Sequence, residues 1–329
     1  MKRYGFNFEW ICYEDREPSP PDLKALDFLA EHGFDFVRIP VNYLTWTTDF
    51  DYFHPDESVF EYLDRYLAEC SKRQIHMSLN MHRAPGYCIN RPETEKHNLW
   101  TDEIAQDALV FLWEVFSRRY QGIPPSLLSF DLLNEPPKIG ERSFNRDIHQ
   151  RVIRRVFAAI RSIDPDRPII IDGIEGGNVA VPELADLGAI HGGRGYRPHA
   201  ISHWGAPWSP DWAGPEAPIY PGVVQNGITW NLDALREFYR PWREIQDHGN
   251  DIHIGEFGCY NQTPNDVALR WLTDILGLFH EYGWGFSMWN FEGPFGIVNH
   301  GREGASFEEV SGYLVDRDLL DLLQRSRRT

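Results

Sequence analysis

The sequence predicts an α/β protein, a single (β/α)8 (TIM) barrel that spans residues 1–329 as one domain. Three observations predict it. Apolar, strand-like segments alternate eight times with segments of helical periodicity, no linker or change of composition divides the chain, and several strands end on polar side chains. Such alternation implies a parallel sheet, and eight units in 329 residues fit a closed barrel. The alternative is an open doubly wound sheet, but no Gly-x-Gly-x-x-Gly motif follows the first strand.

The eight strands are predicted from short apolar runs, each bounded by Gly, Pro or polar residues. Because the strands of such a barrel are buried on both faces, their runs are nearly continuously apolar. In chain order the predicted strands are 4–8, 34–39, 75–81, 127–133, 168–171, 199–204, 252–254 and 285–289.

The helices are predicted from apolar residues at helical spacing, most clearly between Val59 and Cys70. Thr101 and Asn231 are plausible N-caps for two others. The segment 205–228 holds five prolines and is long for a connecting loop, which favours a functional role. The predicted helices are 20–32, 59–70, 101–120, 144–163, 181–187, 231–248, 266–282 and one within 313–325.

The composition excludes several classes of partner. The net charge of −17 disfavours nucleic acid and anionic membranes, because both require clustered Lys and Arg. No apolar run approaches the roughly 20 residues that span a bilayer. Aromatic residues make up 14% of the chain, which suits a carbohydrate ligand. The protein is expected to be a monomer.

Met1 leads almost directly into the first strand without a signal peptide, so either a cytoplasmic enzyme or one secreted after loss of a leader is expected.

No metal or cofactor is expected. The four cysteines form no Cys-x-x-Cys pair, and His, Asp and Glu form no cluster with metal-ligand spacing. Cys70 lies on the apolar face of its predicted helix, and His191 is assigned to a helix or loop, so both are expected to be ordinary packing or surface residues. A lyase or aldolase of the Schiff-base type is disfavoured, because no Lys lies in a predicted strand.

Polar groups recur at the ends of the predicted strands. Catalytic groups of such barrels lie at this C-terminal face, so a set of strand-end polar residues indicates an active site. A single one of them would be weak evidence. The strand-end residues are Arg38, His82, Asn134, Glu135, either His199 or His203, Glu256 and Trp289.

Glu135 and Glu256 suggest a pair of catalytic carboxyl groups. Hydrolysis of a glycosidic bond requires one protonated and one ionised carboxyl group, about 5 Å apart for retention and about 6.5–9.5 Å apart for inversion. Arg38 is expected to keep Glu256 ionised, and a desolvated Glu135 fits the acid. Asn134 can join Glu135 in the site only if the strand bulges or ends there. It would then donate to the sugar 2-hydroxyl.

In their order along the chain, these motifs resemble glycoside hydrolase family 5, the cellulase-type members of clan A. The resemblance extends from Gly5-Phe6-Asn7 to Asn290 and implies a retaining endo-acting β-glycanase. Glu135 would be the acid/base and Glu256 the nucleophile. The motifs are Val-Arg38-Ile-Pro-Val, Asn-Met-His82-Arg-Ala-Pro-Gly, Asn134-Glu135-Pro136, Gly-Glu256-Phe-Gly and Met-Trp289-Asn-Phe.

The resemblance also implies roles for supporting residues. Arg38, His82, Asn134 and a sixth-strand His would assist the two glutamates, and Trp289 would be a sugar platform. Other tryptophans near strand ends or top loops either pave a cleft or anchor loops. They are Trp10, Trp46, Trp204, Trp208 and Trp212.

The sixth strand departs from the family pattern, His-x-Tyr. Neither His199 nor His203 is followed by Tyr two residues on, so the source of that hydroxyl is open. His203 is preferred because it lies nearer the strand end, with His199 as the alternative.

The expected activity is that of an endo-β-1,4-glucanase on cellulose-type or mixed-linkage β-glucans. β-Mannanase, xyloglucanase and exo-acting β-glucosidase activities of the same family remain open, since loop shape decides among them. A sugar-binding barrel without catalysis is the alternative from another class, and the presence of both glutamates and Arg38 argues against it.

Overall fold

The computed structural model describes residues 2–9, 18–90, 92–209 and 216–327. Eight parallel strands form a closed barrel, which confirms the predicted (β/α)8 fold. The barrel strands are β1 (Tyr4–Asn7), β2 (Phe36–Asn42), β3 (His76–Arg83), β4 (Leu128–Asp131), β5 (Ile169–Asp172), β6 (Ile190–Gly195), β9 (Ile252–Phe257) and β10 (Gly285–Met288). Around the barrel their order is β1-β10-β9-β6-β5-β4-β3-β2.

Helices occupy the connections between the strands. Two small antiparallel sheets that the sequence analysis did not predict lie outside the barrel: β7 (Val224–Gln225) with β8 (Ile228–Thr229), and β11 (Phe307–Val310) with β12 (Tyr313–Asp316). The helices are α1 (Leu23–Glu31), α2 (Phe60–Lys72), α3 (Glu103–Arg119), α4 (Arg146–Ile163), α5 (Ile174–Gly177), α6 (His199–Ser202), α7 (Leu232–Asp247), α8 (Asn265–Tyr282) and α9 (Arg317–Arg325).

Local sequence accounts for where the helices begin and what they bury. Asn231 caps α7 as predicted, because its side chain accepts from the backbone N–H of Ala234 at 2.9 Å. The N-cap of α3 is Asp102 and not Thr101, a shift of one residue. The helix α2 buries the apolar face that its spacing predicts, including Cys70.

The predicted sixth strand is wrong. Residues 199–202 form α6 after Pro198, and the sixth barrel strand is Ile190–Gly195. Its three glycines give it a low strand propensity, which explains why the pattern missed it. The glycines permit close packing, since a Cβ on Gly195 would lie 2.4 Å from the Cβ of Phe257. His191, predicted for a helix or loop, is buried within this strand.

The chain groups into two compact units. One contains β1, β9 and β10 together with the segment from Arg194 to His248, and the other contains β2 to β5. The single domain over 1–329 stays a prediction. Among the described residues, no helix combines the length and apolarity that crossing a membrane requires.

Candidate active site

Glu256 lies near the C-terminal end of β9 and is only 5% exposed. Its strand is held at the preceding residue by two side-chain hydrogen bonds. The carbonyl of Gly255 accepts a hydrogen bond from Asn7 Nδ2 at 2.9 Å and another from Ser287 Oγ at 2.7 Å. These two side chains come from β1 and β10. The backbone that carries the Glu256 carboxylate is therefore fixed by its neighbours in the barrel.

Two residues at the end of β6 contact the two oxygens of the Glu256 carboxylate. Arg194 Nη2 lies 3.4 Å from Oε1, and the Tyr196 hydroxyl donates to Oε2 at 3.2 Å. Residues two apart in an extended chain share a face, so one short segment presents both groups. Both residues were missed from the sequence, although Tyr196 follows Arg194 at the spacing of the His-x-Tyr pattern. Tyr196 supplies the hydroxyl whose source the sequence left open.

His203 lies beside Tyr196 and His199 lies beside His203, and neither histidine is on a strand. The His203 ring centroid is 5.1 Å from that of Tyr196 and 4.8 Å from that of His199. His203 Nδ1 is 2.8 Å from the Ser202 hydroxyl. Burial, together with a smaller contribution from Arg197, lowers the pKa of His203 to about 4, while the negative charge of Glu256 opposes the shift. His203 is therefore a neutral hydrogen-bonding group near the carboxylate at neutral pH.

Glu135 follows β4 in a left-handed backbone conformation, with φ +48°. The strand β4 ends at Asp131, before Asn134 and Glu135. The alternation of side chains between the two faces of a strand therefore does not force Asn134 and Glu135 to opposite sides, which was the condition for both to reach the site. The Glu135 N–H donates to Asp172 Oδ2 at 3.1 Å, and its carbonyl accepts from the Tyr87 hydroxyl. The backbone on both sides of the Glu135 side chain is thus held by hydrogen bonds.

Arg38 lies in the middle of β2, not at its end, and is fully buried. Its Nε donates to Asp131 Oδ2 at 2.7 Å, and its Nη2 donates to Asn134 Oδ1 at 2.8 Å. These bonds fix the Asn134 amide and make Asp131 a further residue that the sequence analysis missed. The predicted pairing of Arg38 with Glu256 stays a prediction.

His82 and Trp289 lie at the ends of β3 and β10. His82 is 7% exposed, and its Nδ1 is 3.3 Å from Asn80 Oδ1. Trp289 is half-buried, and its backbone N–H donates to the Phe257 carbonyl at 2.7 Å, next to Glu256 in sequence. Trp289 is thereby attached to the strand that carries Glu256.

The other tryptophans differ in exposure. Trp46 is 2% exposed and packs edge-on against Phe60 and Phe116, so its position is that of a packing residue and not of an open platform. Trp208 is 61% exposed, with its ring edge-on to Tyr260. Trp204 is half-buried, and Trp10 and Trp212 lie outside the described residues.

The described part of the chain contains no candidate metal site. No group of three or more His, Cys, Asp or Glu side chains there has an arrangement that could hold an ion. The absence of a required metal stays a prediction.

A (β/α)8 barrel with buried carboxylates and polar groups near its strand ends is compatible with the chemistry of a glycoside hydrolase. The model of the cellulase family, glycosyl hydrolase family 5, matches residues 1–293, and the chain belongs to this family. It is a glycoside hydrolase.

Three similar proteins agree with this membership. Endoglucanase C of Acetivibrio thermocellus is 27% identical over 316 residues, covering 88% of this chain and 89% of that protein. Cellodextrinase A of Ruminococcus flavefaciens is 26% identical over 290 residues, covering 83% of this chain and 79% of its own. The crystal structure of a glycoside hydrolase is 58% identical with a TM-score of 0.97, and the match covers both chains completely.

Proposed function

We propose that the protein is a retaining endo-β-1,4-glucanase that cleaves cellulose-type or mixed-linkage β-glucans, with Glu256 as nucleophile and Glu135 as acid/base. The observation that carries the proposal is the contact of both Glu256 oxygens with Arg194 and Tyr196. A cation and a hydroxyl donor favour the ionised form, which a nucleophile needs. Relatives named endoglucanase C and cellodextrinase A favour a β-glucan as substrate.

In the first step, the Glu256 carboxylate attacks the anomeric carbon while the bond to the leaving oxygen breaks. The carboxylic acid of Glu135 gives its proton to that oxygen, so the leaving sugar departs as an alcohol. The product is a glycosyl ester on Glu256 with inverted configuration. Burial of Glu256 keeps bulk water away from the attacking oxygen.

In the second step, Glu135 takes a proton from a water molecule, which attacks the anomeric carbon. The ester bond breaks, and Glu256 leaves as a carboxylate. Two inversions give net retention. Arg194 and Tyr196 stabilise the negative charge that returns to Glu256 in this step.

The remaining residues orient the sugar. The buried bond from Arg38 fixes the oxygen of the Asn134 amide, and we propose that its NH2 group donates to the sugar 2-hydroxyl. His82 and His203 complete the polar lining. Trp289 and Trp208 are proposed as platforms for sugar rings, since pyranose C–H faces pack on aromatic faces.

The test is release of reducing sugar from carboxymethylcellulose, barley β-glucan, xyloglucan, glucomannan and mannan. Glu135→Gln and Glu256→Gln serve as matched controls that keep the side-chain shape. Activity on the first two polymers that both controls lose would support the proposal. Activity mainly on mannan or xyloglucan would replace the substrate with the corresponding alternative. Release of single glucose units from cello-oligosaccharides would indicate an exo-acting β-glucosidase, and binding without release a sugar-binding barrel.

A further inference from the structure

We propose that Arg194 is a positioning residue for the nucleophile: a permanent cation that holds the Glu256 carboxylate ionised and makes it a better leaving group in the second step. The inference rests on the proposed function of Glu256. It concerns the position at which the family pattern has His and this chain has Arg.

The contact is buried on both sides. Arg194 is 0% exposed, Glu256 is 5% exposed, and Arg194 Nη2 lies 3.4 Å from Oε1 of the carboxylate. Charges interact more strongly when little water screens them. A positive charge within about 4–6 Å lowers the pKa of a carboxyl group by roughly 1–3 units. Arg194 is therefore placed to keep Glu256 ionised under acidic conditions.

The backbone around Arg194 is held in place. The Arg194 carbonyl accepts a hydrogen bond from the Tyr239 hydroxyl of α7 at 3.1 Å. The next residue, Gly195, lies so close to β9 that a Cβ would come within 2.4 Å of the Phe257 Cβ. These contacts hold the backbone from which the Arg194 side chain reaches Glu256.

Arg and His differ in when they are charged. An imidazole with an ordinary pKa of about 6.5 loses its charge near neutral pH, whereas a guanidinium remains charged throughout. Among the groups that face Glu256, the Tyr196 hydroxyl donates a neutral hydrogen bond, and burial lowers the pKa of His203 to about 4. Arg194 therefore keeps a positive charge beside Glu256 at a pH where His203 is neutral.

The two chemical steps respond differently to this charge. Formation of the glycosyl ester removes the negative charge from Glu256 and leaves the buried guanidinium without that partner. Hydrolysis of the ester restores the carboxylate and the ion pair. Arg194 therefore lowers the barrier of the second step more than that of the first. Its loss should make the glycosyl-enzyme intermediate accumulate.

The experiment compares Arg194→Met, Arg194→Lys and Arg194→His with the unmodified enzyme on a 2,4-dinitrophenyl β-cellobioside. The acid limb is the fall of kcat/KM on the acidic side of its pH profile. For Arg194→Met we expect the pKa of this limb to rise by about 1 unit or more. We also expect kcat and KM to fall together, with a larger burst of dinitrophenol. Arg194→Lys should keep the original acid limb. Arg194→His should behave like Arg194→Lys at a pH where its imidazole is protonated and like Arg194→Met at a pH where it is neutral.

The outcomes separate this inference from the proposed function. Activity in Glu256→Gln would remove the nucleophile assignment itself. An inactive Glu256→Gln together with a folded Arg194→Met that has the original acid limb, KM and burst would show that Arg194 is only structural. If Arg194→Met does not fold, Arg194→Gln takes its place, and an unchanged acid limb, KM and burst in that folded, uncharged variant would overturn the inference.

Discussion

The Tyr196 hydroxyl donates to Oε2 of Glu256 at 3.2 Å, while the other oxygen of the same carboxylate faces Arg194. One carboxylate is thus contacted by a neutral donor and a cation from a single short segment. The two contacts differ in kind, because the hydroxyl orients the carboxylate through a directional bond and the guanidinium acts mainly through its charge. They can therefore be separated by mutation.

Tyr196→Phe should lower kcat/KM roughly 10- to 100-fold, because a hydrogen bond to a charged group contributes about 1.5–3 kcal/mol. The acid limb should move less than in Arg194→Met. Steady-state kinetics between pH 4 and 8 measure both effects. Tyr220→Phe is a matched control, since it removes a tyrosine hydroxyl that donates to Asp274 on α8. An equal loss in both variants would argue against a specific role of Tyr196.

Glu256→Ala should abolish turnover without loss of fold. Added azide should partly restore it on an activated aryl glycoside by attacking the anomeric carbon in place of the carboxylate. The azide product should have the inverted configuration, whereas the proposed mechanism predicts retention for the unmodified enzyme. Proton NMR of the first-formed products gives the anomeric configuration in both reactions. An unmodified enzyme that inverts would contradict the double-displacement mechanism.

Asp172→Asn should lower kcat at nearly constant KM, by roughly 10-fold. Asp172 Oδ2 accepts from the backbone N–H of Glu135, and the uncharged amide oxygen that replaces it is a weaker acceptor. A misplaced acid slows departure of poor leaving groups most. The measurement compares the fall in kcat on an aryl glycoside that has a good leaving group with the fall in kcat on cellotetraose. An equal effect on both substrates would contradict the assignment of Glu135 as acid.

Trp208→Ala should raise KM on long β-glucans roughly 3- to 10-fold and leave the melting temperature nearly unchanged, since its ring is 61% exposed. Trp46→Ala is the matched contrast. Trp46 is 2% exposed against Phe60 and Phe116, so its loss should cost about 3–5 kcal/mol of stability. Urea unfolding and kinetics on barley β-glucan test the pair. An unchanged KM in Trp208→Ala would exclude Trp208 as a platform.

Acidification should destabilise the protein through His149 of α4, which is fully buried beside Trp100 and Phe144. Burial lowers its pKa to about 3, with Arg146 adding to the shift. The pKa of His149 in the folded protein lies below its unfolded value of about 6.5, so protonation favours the unfolded state. The free energy of unfolding is therefore unaffected by His149 above pH 6.5 and falls as the pH decreases, by about 2–3 kcal/mol at pH 4.5.

The measurement for His149 is urea unfolding at pH 7 and pH 4.5, with His149→Phe as the comparison. The variant should lose less stability between the two pH values than the unmodified protein. Equal losses in both would show that His149 does not contribute to the acid sensitivity. His191, also buried and with its pKa lowered to about 4, remains in both proteins.

The barrel was predictable because seven of its strands are apolar runs between helices of clear periodicity. The eighth, β6, was not, because glycine gives no strand signal. Gly192 and Gly195 are required by neighbours that only the fold brings close: Asp172 and Phe257 would clash with a Cβ. A tertiary requirement replaced local propensity here, and the apolar segment that followed was taken for the strand instead.

The site was predictable where a motif marked the residue, as for Glu135 and Glu256, whose catalytic roles stay proposals. Arg194 and Tyr196 were missed because their strand was misplaced. The same shift moved His203 off the strand without removing it from the surroundings of Glu256. Asp131 and Asp172 were missed because each acts on another residue, a relation that spacing along the chain does not reveal.

The left-handed backbone of Glu135 has a consequence for laboratory evolution. A non-glycine residue at φ +48° costs roughly 1–3 kcal/mol, and Asn tolerates that conformation better than Glu. Glu135→Asn should therefore melt at a higher temperature than the unmodified protein. Position 135 is the proposed acid/base, so a screen that rewards heat resistance alone would favour a substitution that this proposal expects to abolish activity. Selection for thermostable variants therefore needs an activity measurement in every round.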